Sequence, residues 1–215
     1  MKTFRKFIPD GEEIEVVESY NLLGSIITCT GGCTKEIRRR IALGKVAFKD
    51  MAKIFKNRDL SKKTKIRLVQ TMIFPIVSYG SESWTIKKKD RKSIDSFELW
   101  CWRRLLNIPW TAKRTNQSVI DEIRPHMSFE AQTTKLRLSY FGHIMRREES
   151  LEKDIMLGKV EGKRARGRPP VRWLGMVKED LGVTLNLSKV IAQDRANFRR
   201  TIHDVAINRL RLDGT

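Results

Sequence analysis

Adjacent acidic residues are the first candidates for catalysis, because two-metal phosphoryl transfer needs at least two carboxylates that converge on ions about 3.5–4 Å apart. Four such pairs occur along the chain: Glu12-Glu13, Asp121-Glu122, Glu148-Glu149 and Glu179-Asp180. The first pair flanks a turn signal, and the others lie at the ends or on the polar faces of predicted helices. None follows an apolar strand that would hold a metal rigidly. We therefore expect all four pairs to be solvated and the chain to have no active site of its own.

Nucleophilic and metal-binding motifs are also missing. The sequence contains no G-x-S-x-G, no phosphate-binding G-x-x-x-x-G-K-[ST] loop and no H-E-x-x-H. Cys29 and Cys33 form a C-x3-C pair, but His126, His143 and His203 stand at spacings unlike those of zinc fingers. An odd number of cysteines without an export signal is typical of free thiols in a reducing compartment. We expect neither a metal nor another cofactor in this chain.

The net charge indicates a polyanionic partner. The 215 residues include 44 Lys+Arg and 25 Asp+Glu, a formal charge of +19, and 40% of them are hydrophobic. Such a chain is expected to fold, and its positive excess is typical of proteins that bind nucleic acid. No apolar run approaches the roughly 20 residues needed to span a bilayer, and no signal peptide is evident. We expect a nuclear and/or cytoplasmic protein that binds RNA or DNA and no membrane.

A basic segment rich in glycine and proline, EGKRARGRPPVRW, occupies residues 161–173. Its cations, all predicted to contact nucleic acid, are Lys163, Arg164, Arg166, Arg168 and Arg172. Glycine and proline disfavour helix and sheet here, so the segment is predicted to be an arm between helices. Its core, RGRPP, is similar to the AT-hook, which lies in the minor groove of DNA. The alternative is an arm that contacts phosphates through charge alone.

A predicted helix that begins near Thr34 is apolar on one face and strongly basic elsewhere. From Lys35 to Arg67 the sequence holds 13 Lys+Arg and three acidic residues. A solvated helix usually mixes both signs, so this surface favours contact with phosphates. The cations predicted to make that contact are Arg38, Arg39, Lys45, Lys49 and Lys53.

Tryptophans cluster around a later predicted helix that starts near Asp90. They are Trp84, Trp100, Trp102 and Trp110, with Arg103 and Arg104 among them. Aromatic rings beside cations are typical of surfaces on which bases stack, and large aromatic residues are equally typical of a packed core. Trp100 lies on the apolar stripe and is predicted to be core, whereas both interpretations stay open for Trp102 and Trp110. Arg103 and Arg104 are predicted to contact nucleic acid.

The order of elements predicts a mainly α protein with a short N-terminal antiparallel β meander. Three segments form the meander: TFRKFI, EEIEVVE and LLGSIIT. Helices follow, with N-caps predicted at Thr34, Ser61, Ser128 and Ser150 and a bend at Pro75. The last helix is predicted over NLSKVIAQDRANFRRTIHDVAINRL. We divide the chain into β strands (1–33), helices (34–110), a helical connection (111–157), the basic arm (158–172) and C-terminal helices (173–215).

Several long strings occur in a distinctive order: LLGSIIT, KEIRRRIALGK, RLVQTMIFPIVSYGSESW, FELWCWRRLLNIPW, KLRLSYFGHIMRR and GRPPVRW. Together they closely resemble the C-terminal part of the reverse transcriptase of non-LTR (LINE-type) retrotransposons, most like the RTE/Bov-B clade. The resemblance extends from about Phe7 to Asp194. It is specific, because strings such as FELWCWRRLL are not expected by chance.

The resemblance implies a role for each region. In that family a strand with an aromatic-Leu-Gly motif forms the primer grip between palm and thumb, and NLLGS matches it at Leu23 and Gly24, with Leu22 in place of the aromatic residue. Residues 1–33 would then be the edge of the palm, and 34–110 a helical thumb along the template–primer duplex. The remainder would be a C-terminal extension that binds RNA or DNA.

The resemblance also implies which parts lie elsewhere. The family's RNA-directed DNA polymerase activity uses Mg²⁺ held by palm aspartates in an aromatic-x-Asp-Asp motif, and these 215 residues contain no Asp-Asp step. We therefore expect a template–primer-binding fragment or degenerate copy, inactive alone, whose partners are an RNA–DNA hybrid and the missing palm and fingers. The family's endonuclease domain is missing as well. Two alternatives stay open: a DNA-binding architectural protein that uses the arm as an AT-hook, and a domesticated helical interaction protein.

Overall fold

The computed structural model describes residues 17–159 and 172–212. In these residues a two-stranded antiparallel hairpin precedes eleven α-helices, which confirms the predicted mainly α fold with a short N-terminal sheet. The strands are β1 (Ser19–Leu22) and β2 (Ser25–Thr28). The helices are α1 (Thr34–Asp50), α2 (Ala52–Lys56), α3 (Lys62–Leu68), α4 (Phe74–Ser78), α5 (Lys88–Leu105), α6 (Asn116–Ile123), α7 (Phe129–Met145), α8 (Leu151–Leu157), α9 (Trp173–Leu181), α10 (Leu185–Gln193) and α11 (Arg195–Leu212).

The hairpin replaces the single strand predicted over LLGSIIT. Its turn consists of Leu23 and Gly24, whose φ angles are 48° and 77°, and its strands pair in register from Ser19 with Thr28. Positive φ at both central residues matches the right-handed twist of the strands. The prediction of one strand was wrong because such turns usually carry Asn-Gly or Asp-Gly, and leucine gives no such signal. The two earlier predicted strands lie outside the described residues.

Serine hydroxyls cap the N-termini of several helices at positions that the sequence predicts. Those of Ser61, Ser128 and Ser150 each accept a hydrogen bond from the backbone N–H three residues later. They satisfy donors that the start of a helix leaves unpaired. The prediction of a cap at Thr34 was wrong, because Thr34 is the first helical residue and its hydroxyl donates to Asp90 Oδ2 at 3.0 Å. That bond ties the first turn of α1 to the first turn of α5.

Pro75 shapes the segment between α3 and α4. A wide π-helical turn, Val69–Ile73, comes immediately before α4, in which Pro75 is the second residue. Proline lacks an N–H, and its ring clashes with the carbonyl one turn earlier, so a regular helical ladder cannot pass through it. The bend predicted at Pro75 therefore takes the form of a widened turn just before it.

The long C-terminal helix predicted from the sequence is two helices, α10 and α11. Asp194 lies between them with φ −77° and ψ 101°, and its Oδ1 accepts hydrogen bonds from the backbone N–H groups of Ala196 and Asn197. Aspartate in this position caps a new helix. The prediction of one helix was wrong because the apolar period continues across the cap and hides it.

Two hydrophobic clusters hold the helices together. The first is built by α1, α2, α4, α5, α6, the start of α7 and Met176 of α9, and its largest buried side chains include Phe74, Phe97, Trp102 and Phe129. The second joins α7 to α9, α10 and α11 around Leu138, Phe141, Val177 and Phe198. Helix α7 contributes side chains to both clusters. The first cluster positions the surface on which the predicted binding residues lie.

Helix α1 approaches α4 and α5 closely because Gly44 has no side chain. A Cβ at this position would stand 2.3 Å from Val77 Cγ2 and 3.0 Å from the ring of Phe97. Neither neighbour has room to withdraw, since both lie fully in the first cluster. The glycine therefore sets the spacing between α1 and α5.

A buried ion pair joins α7 to α9. Arg137 donates to Asp180 Oδ2 through Nε at 2.9 Å and Nη2 at 2.6 Å, and both side chains are 1% exposed. The expectation that the Glu179-Asp180 pair is solvated was wrong for Asp180. The sequence held a signal: Asp180 follows Met176 by four residues and so shares its buried helical face. Removal of one partner of such a pair is strongly destabilising, because it leaves a buried charge uncompensated.

Glu98 joins α5 to α7. Its Oε1 accepts a hydrogen bond from Trp102 Nε1 at 3.1 Å, and its Oε2 accepts one from the backbone N–H of Phe129 at 2.8 Å, at the start of α7. Burial raises the pKa of this carboxyl to about 7; the two hydrogen bonds oppose the rise, and the nearby Asp95 and Glu130 add to it. The joint between the two helices is therefore sensitive to pH.

We predict that Glu98→Gln flattens the pH dependence of stability between pH 4.5 and about 7. In the unfolded chain Glu98 ionises near its ordinary value of 4.5, whereas the folded protein holds the proton to about 7. The folded state binds more protons in this window, so the parent's free energy of unfolding falls as pH rises through it. Urea unfolding from pH 4.5 to 7.5 measures the slope. Glu179→Gln, at an exposed position, is the control, and a parental slope in Glu98→Gln would contradict the prediction.

Candidate nucleic-acid interface

The turn of the hairpin is fixed to α1 by a network around Glu36. Arg39 Nη2 donates to the carbonyl of Gly24 at 2.5 Å, and Arg40 Nη2 donates to the same oxygen. Both arginines also donate to the Glu36 carboxylate at 2.7 Å, which in turn accepts the backbone N–H of Ile26 at 3.0 Å. The carboxylate thus joins β2 to the first turn of α1. Short contacts of this kind between charged groups are among the stronger hydrogen bonds in proteins.

Leu23, one of the two primer-grip-like residues, projects from this turn. Its side chain is 84% exposed, while its backbone carbonyl accepts a hydrogen bond from the Tyr79 hydroxyl at 2.9 Å. The guanidinium of Arg40 lies 4.3 Å from the centre of the Tyr79 ring. The turn at Leu23 and Gly24 is therefore held from two sides while its leucine faces solvent. That these residues grip a primer stays a prediction.

The sequence predicts that Arg39 contacts phosphates, whereas the structure places its side chain against the hairpin. Its guanidinium contacts Glu36 and the turn, so it helps to attach the hairpin to α1. Burial acts to raise the pKa of Glu36, but hydrogen bonds from Arg39, Arg40 and the Ile26 amide outweigh it and hold that pKa below its usual range. The Glu36 carboxylate consequently stays ionised at pH values below the usual pKa of a glutamate.

Two concavities lie along α5. The first, which we name the α2–α5 groove, has a volume of about 1070 Å³ and lies between α1–α2 and the end of α5 with its following loop. The cations that line it are Lys49, Lys56, Arg103, Arg104, Lys113 and Arg114. The second, the α1–α5 recess, has a volume of about 630 Å³ and is lined by Arg38, Lys45, Lys89 and Lys92. Among the described residues no carboxylate lines either concavity.

Trp100 forms the wall between the groove and the recess, and lines both. Its indole is partly exposed, whereas Trp102 is fully buried. The prediction that Trp100 is core was wrong in part: the ring packs on Phe97 and Phe48 at the edge of the first cluster, but it also reaches the surface. Trp102 follows Glu98 by four residues and precedes Leu105 by three, so it lies in the middle of the buried face of α5, whereas Trp100 lies at the edge of that face. The side chain of Trp110 lies outside the described set.

Two of the groove's arginines support the loop after α5. Arg103 donates to the carbonyl of Arg114 at 2.6 Å and to Asn116 Oδ1 at 3.0 Å. Arg114 donates to Glu122 Oε2 at 2.7 Å, and this hydrogen bond lowers the pKa of that carboxyl. Their charge still contributes to the field in the groove, but their geometry is fixed by the loop.

The remaining cations of the groove are free to meet a ligand. Lys49, Lys56 and Lys113 have no ion-pair partner within residues 17–159 and 172–212, and Arg104 lies over the Trp100 ring. Lysine carries its charge on a flexible four-carbon stem, so it can follow a phosphate backbone. Since none of the described residues places a carboxylate in the wall of the groove, the fields of these cations add rather than cancel.

The structure brings five of the predicted binding residues together, and of the other described ones Arg39, Lys53 and Arg172 lie elsewhere. Around the groove and the recess lie Arg38, Lys45, Lys49, Arg103 and Arg104. Lys53 is exposed on α2 but lines neither, and Arg172 lines a separate cavity between α8 and α9. Lys163, Arg164, Arg166 and Arg168 lie outside the described residues.

Sequence analysis missed Lys89 and Lys92, which line the recess. The signal was present, since residues 89, 92, 96 and 100 follow one another at helical spacing and share a face of α5 with Trp100. It also missed Lys56, Lys113 and Arg114. The last two lie on an irregular loop, where no period exists to place them.

Comparison with known proteins supports a transposon origin. The chain is 26% identical over 204 residues to an uncharacterized transposon-derived protein of Caenorhabditis elegans, and the match covers 88% of this chain and 72% of that protein. No family model and no solved structure matches the chain.

Within residues 17–159 and 172–212, every helix is too short or too polar to span a bilayer. In the same residues, no group of three or more His, Cys, Asp or Glu side chains is arranged to hold a metal ion.

We predict that Glu36→Gln loosens the hairpin. The substitution keeps the size of the side chain but leaves the largely buried Arg40 without its counter-ion, which should lower the free energy of unfolding by about 3 kcal/mol. Hydrogen–deuterium exchange at the Ile26 amide should become faster than in the parent, because its acceptor is weakened. Glu18→Gln, at an exposed position beside the same hairpin, is the control. Parental protection of Ile26 in Glu36→Gln would show that the network does not hold the hairpin.

Proposed function

We propose that this chain is a nucleic-acid-binding part of a LINE-type reverse transcriptase, comprising the primer-grip-like hairpin, the thumb and the C-terminal extension. The observation that carries the proposal is the pair of cationic concavities on either side of Trp100, with no carboxylate of the described residues in their walls. Basic surfaces with accessible aromatic rings are typical of proteins that bind nucleic acid.

Three independent lines support the proposal. The formal charge of +19 on a folded chain favours a polyanionic partner. The relative from Caenorhabditis elegans is named as transposon-derived, which agrees with an origin in a mobile element. The strings from LLGSIIT to GRPPVRW resemble the reverse transcriptases of such elements, and they supply the specific class.

In this proposal α1 and α5 are thumb helices that contact the template–primer. Gly44 sets their spacing, and that spacing defines the recess between them. The hairpin, fixed to the first turn of α1 through Glu36, stands where palm and thumb would meet. The partners would be an RNA–DNA hybrid, RNA or DNA, together with the palm and fingers, in the nucleus and/or cytoplasm.

The architectural alternative depends on the arm at 158–172, most of which lies outside the described residues. The groove and the recess give the chain a nucleic-acid surface that does not need the arm. Competition between an A·T-rich duplex and an RNA–DNA hybrid separates the two proposals, because an AT-hook discriminates by minor-groove shape. Equal competition by both ligands favours the thumb.

We predict that a quadruple variant, Lys49→Gln, Lys56→Gln, Arg104→Gln and Lys113→Gln, weakens binding to an RNA–DNA hybrid. Each lost phosphate contact should reduce the slope of log K against log salt by about 0.7–0.9. Fluorescence anisotropy between 50 and 300 mM salt measures the slope.

The matched control changes four exposed cations outside the groove: Arg58→Gln, Lys63→Gln, Arg67→Gln and Arg200→Gln. It removes the same charge but should leave the slope close to that of the parent. An unchanged slope in the groove variant, or an equal loss in both variants, would reject the groove as the binding surface.

We further propose that this chain does not polymerise nucleotides by itself. Of its acidic pairs, Glu122 is bound by Arg114 and Lys62, and Asp180 is sequestered by Arg137. We predict no nucleotide incorporation on a primed RNA template with Mg²⁺ or Mn²⁺, measured by extension of a labelled primer. A complete reverse transcriptase is the positive control. Extension above that of a heat-inactivated sample would overturn the proposal.

A further inference from the structure

Trp100 has the surroundings of a stacking platform rather than of a core residue. The centre of its ring lies 5.2 Å from that of Phe48, at an edge-to-face angle of 67°, and 6.3 Å from that of Phe97, at 17°. These two buried rings hold the indole in place from the protein side. The rest of the ring reaches the surface between two concavities. Its orientation is therefore fixed before any ligand arrives, which reduces the entropy lost on binding.

Two cationic side chains lie over this ring. Arg104 Cζ lies 4.8 Å and Lys45 Nζ 5.5 Å from the ring centroid. Both are at distances typical of cation–π contacts. Both also lie on long flexible side chains, one lining the groove and the other the recess. Each can move from the ring to a neighbouring phosphate when a planar ligand takes its place.

We propose that a single-stranded segment of nucleic acid crosses Trp100, with one base stacked on the indole and its flanking phosphates in the recess and in the groove. The inference rests on the proposed function and adds a single-stranded ligand to the RNA–DNA hybrid proposed for the same surface. On the recess side the phosphate partners are Arg38, Lys45, Lys89 and Lys92. On the groove side they are Lys49, Lys56 and Lys113, with Arg104 next to the ring.

The geometry of the site favours an unpaired strand over a duplex at Trp100. In a duplex every base face except those at the ends is covered by its neighbours, and only base edges and phosphates are accessible. An indole on the protein surface therefore has no base face to meet along a duplex. A single strand presents base faces and phosphates together, which is the combination that an aromatic ring between cationic walls binds. Because every base has a π face, such a site tolerates any sequence.

The test compares Trp100→Leu and Trp100→Phe with the parent chain at constant salt. The probes are labelled (dT)12, (rU)12 and a 12-base-pair RNA–DNA duplex whose two ends are closed by loops of a non-nucleotide linker. We expect Trp100→Leu to bind both single strands about tenfold more weakly, the loss that removal of one base–aromatic stack causes, and the closed duplex within about twofold of the parent. Trp100→Phe should stay within about threefold on every probe, because it retains an aromatic face.

A second measurement does not depend on how Trp100→Leu folds. Stacking of a base quenches indole fluorescence, so (dT)12 should quench the parent more than Trp100→Phe, in which the remaining four tryptophans are unchanged. Leu151→Ala, which removes an exposed apolar side chain from α8, is the control and should bind all probes as the parent does.

The outcomes separate this inference from the proposed function. Equal quenching in the parent and Trp100→Phe, or an equal loss on single strands and closed duplex in Trp100→Leu, would overturn the single-strand site while leaving nucleic-acid binding in place. If the parent binds none of the three probes, both proposals are overturned. A tenfold loss on single strands alone, with quenching that depends on Trp100, supports the inference.

Discussion

The hydrogen bonds of the Glu98 carboxylate are the interaction on which the candidate interface depends. One of them, from Trp102, lies within the buried side of α5, and the other, from the backbone N–H of Phe129, connects α5 to the first residue of α7. The opposite side of α5 carries Lys89, Lys92, Trp100 and Arg104, and its orientation follows from how the buried side is fixed. A buried carboxylate that accepts two such bonds specifies one arrangement of the two helices, because any shift would leave a polar group unpaired.

The distribution of acidic residues makes the surface more positive than the composition implies. Glu36, Asp90 and Glu98 are buried in contacts that join elements, and Asp180 is buried against Arg137. Each of these carboxylates makes buried contacts between elements, so its negative charge does not lie on the surface. Most lysines remain exposed, as their strong hydration favours. The consequence is a positive field over the first hydrophobic cluster, where the groove and the recess lie.

Much of this architecture follows from local signals in the sequence. Serine caps located the starts of three helices, and the change from a period of two to 3.6 residues located the transition from sheet to helix. The turn at Leu23 and Gly24 and the break at Asp194 were not predicted, since each depends on backbone geometry that an apolar pattern conceals. Arg38, Lys45 and Lys49 were found from one helix alone. Their proximity to Lys89 and Lys92 could not be predicted, because it depends on how α1 packs against α5, and these two helices are distant in sequence.

Helix α7 contributes Phe129 to one hydrophobic cluster and Leu138 and Phe141 to the other. The two clusters therefore share α7, and neither can lose its packing without exposing part of that helix. Unfolding should then be a single cooperative event, in which the half that carries the cationic surface and the C-terminal half are lost together. A destabilising substitution in α9, α10 or α11, far from any candidate ligand, would therefore lower the fraction of folded molecules that carry the groove. The shape of the groove in the molecules that remain folded would not change.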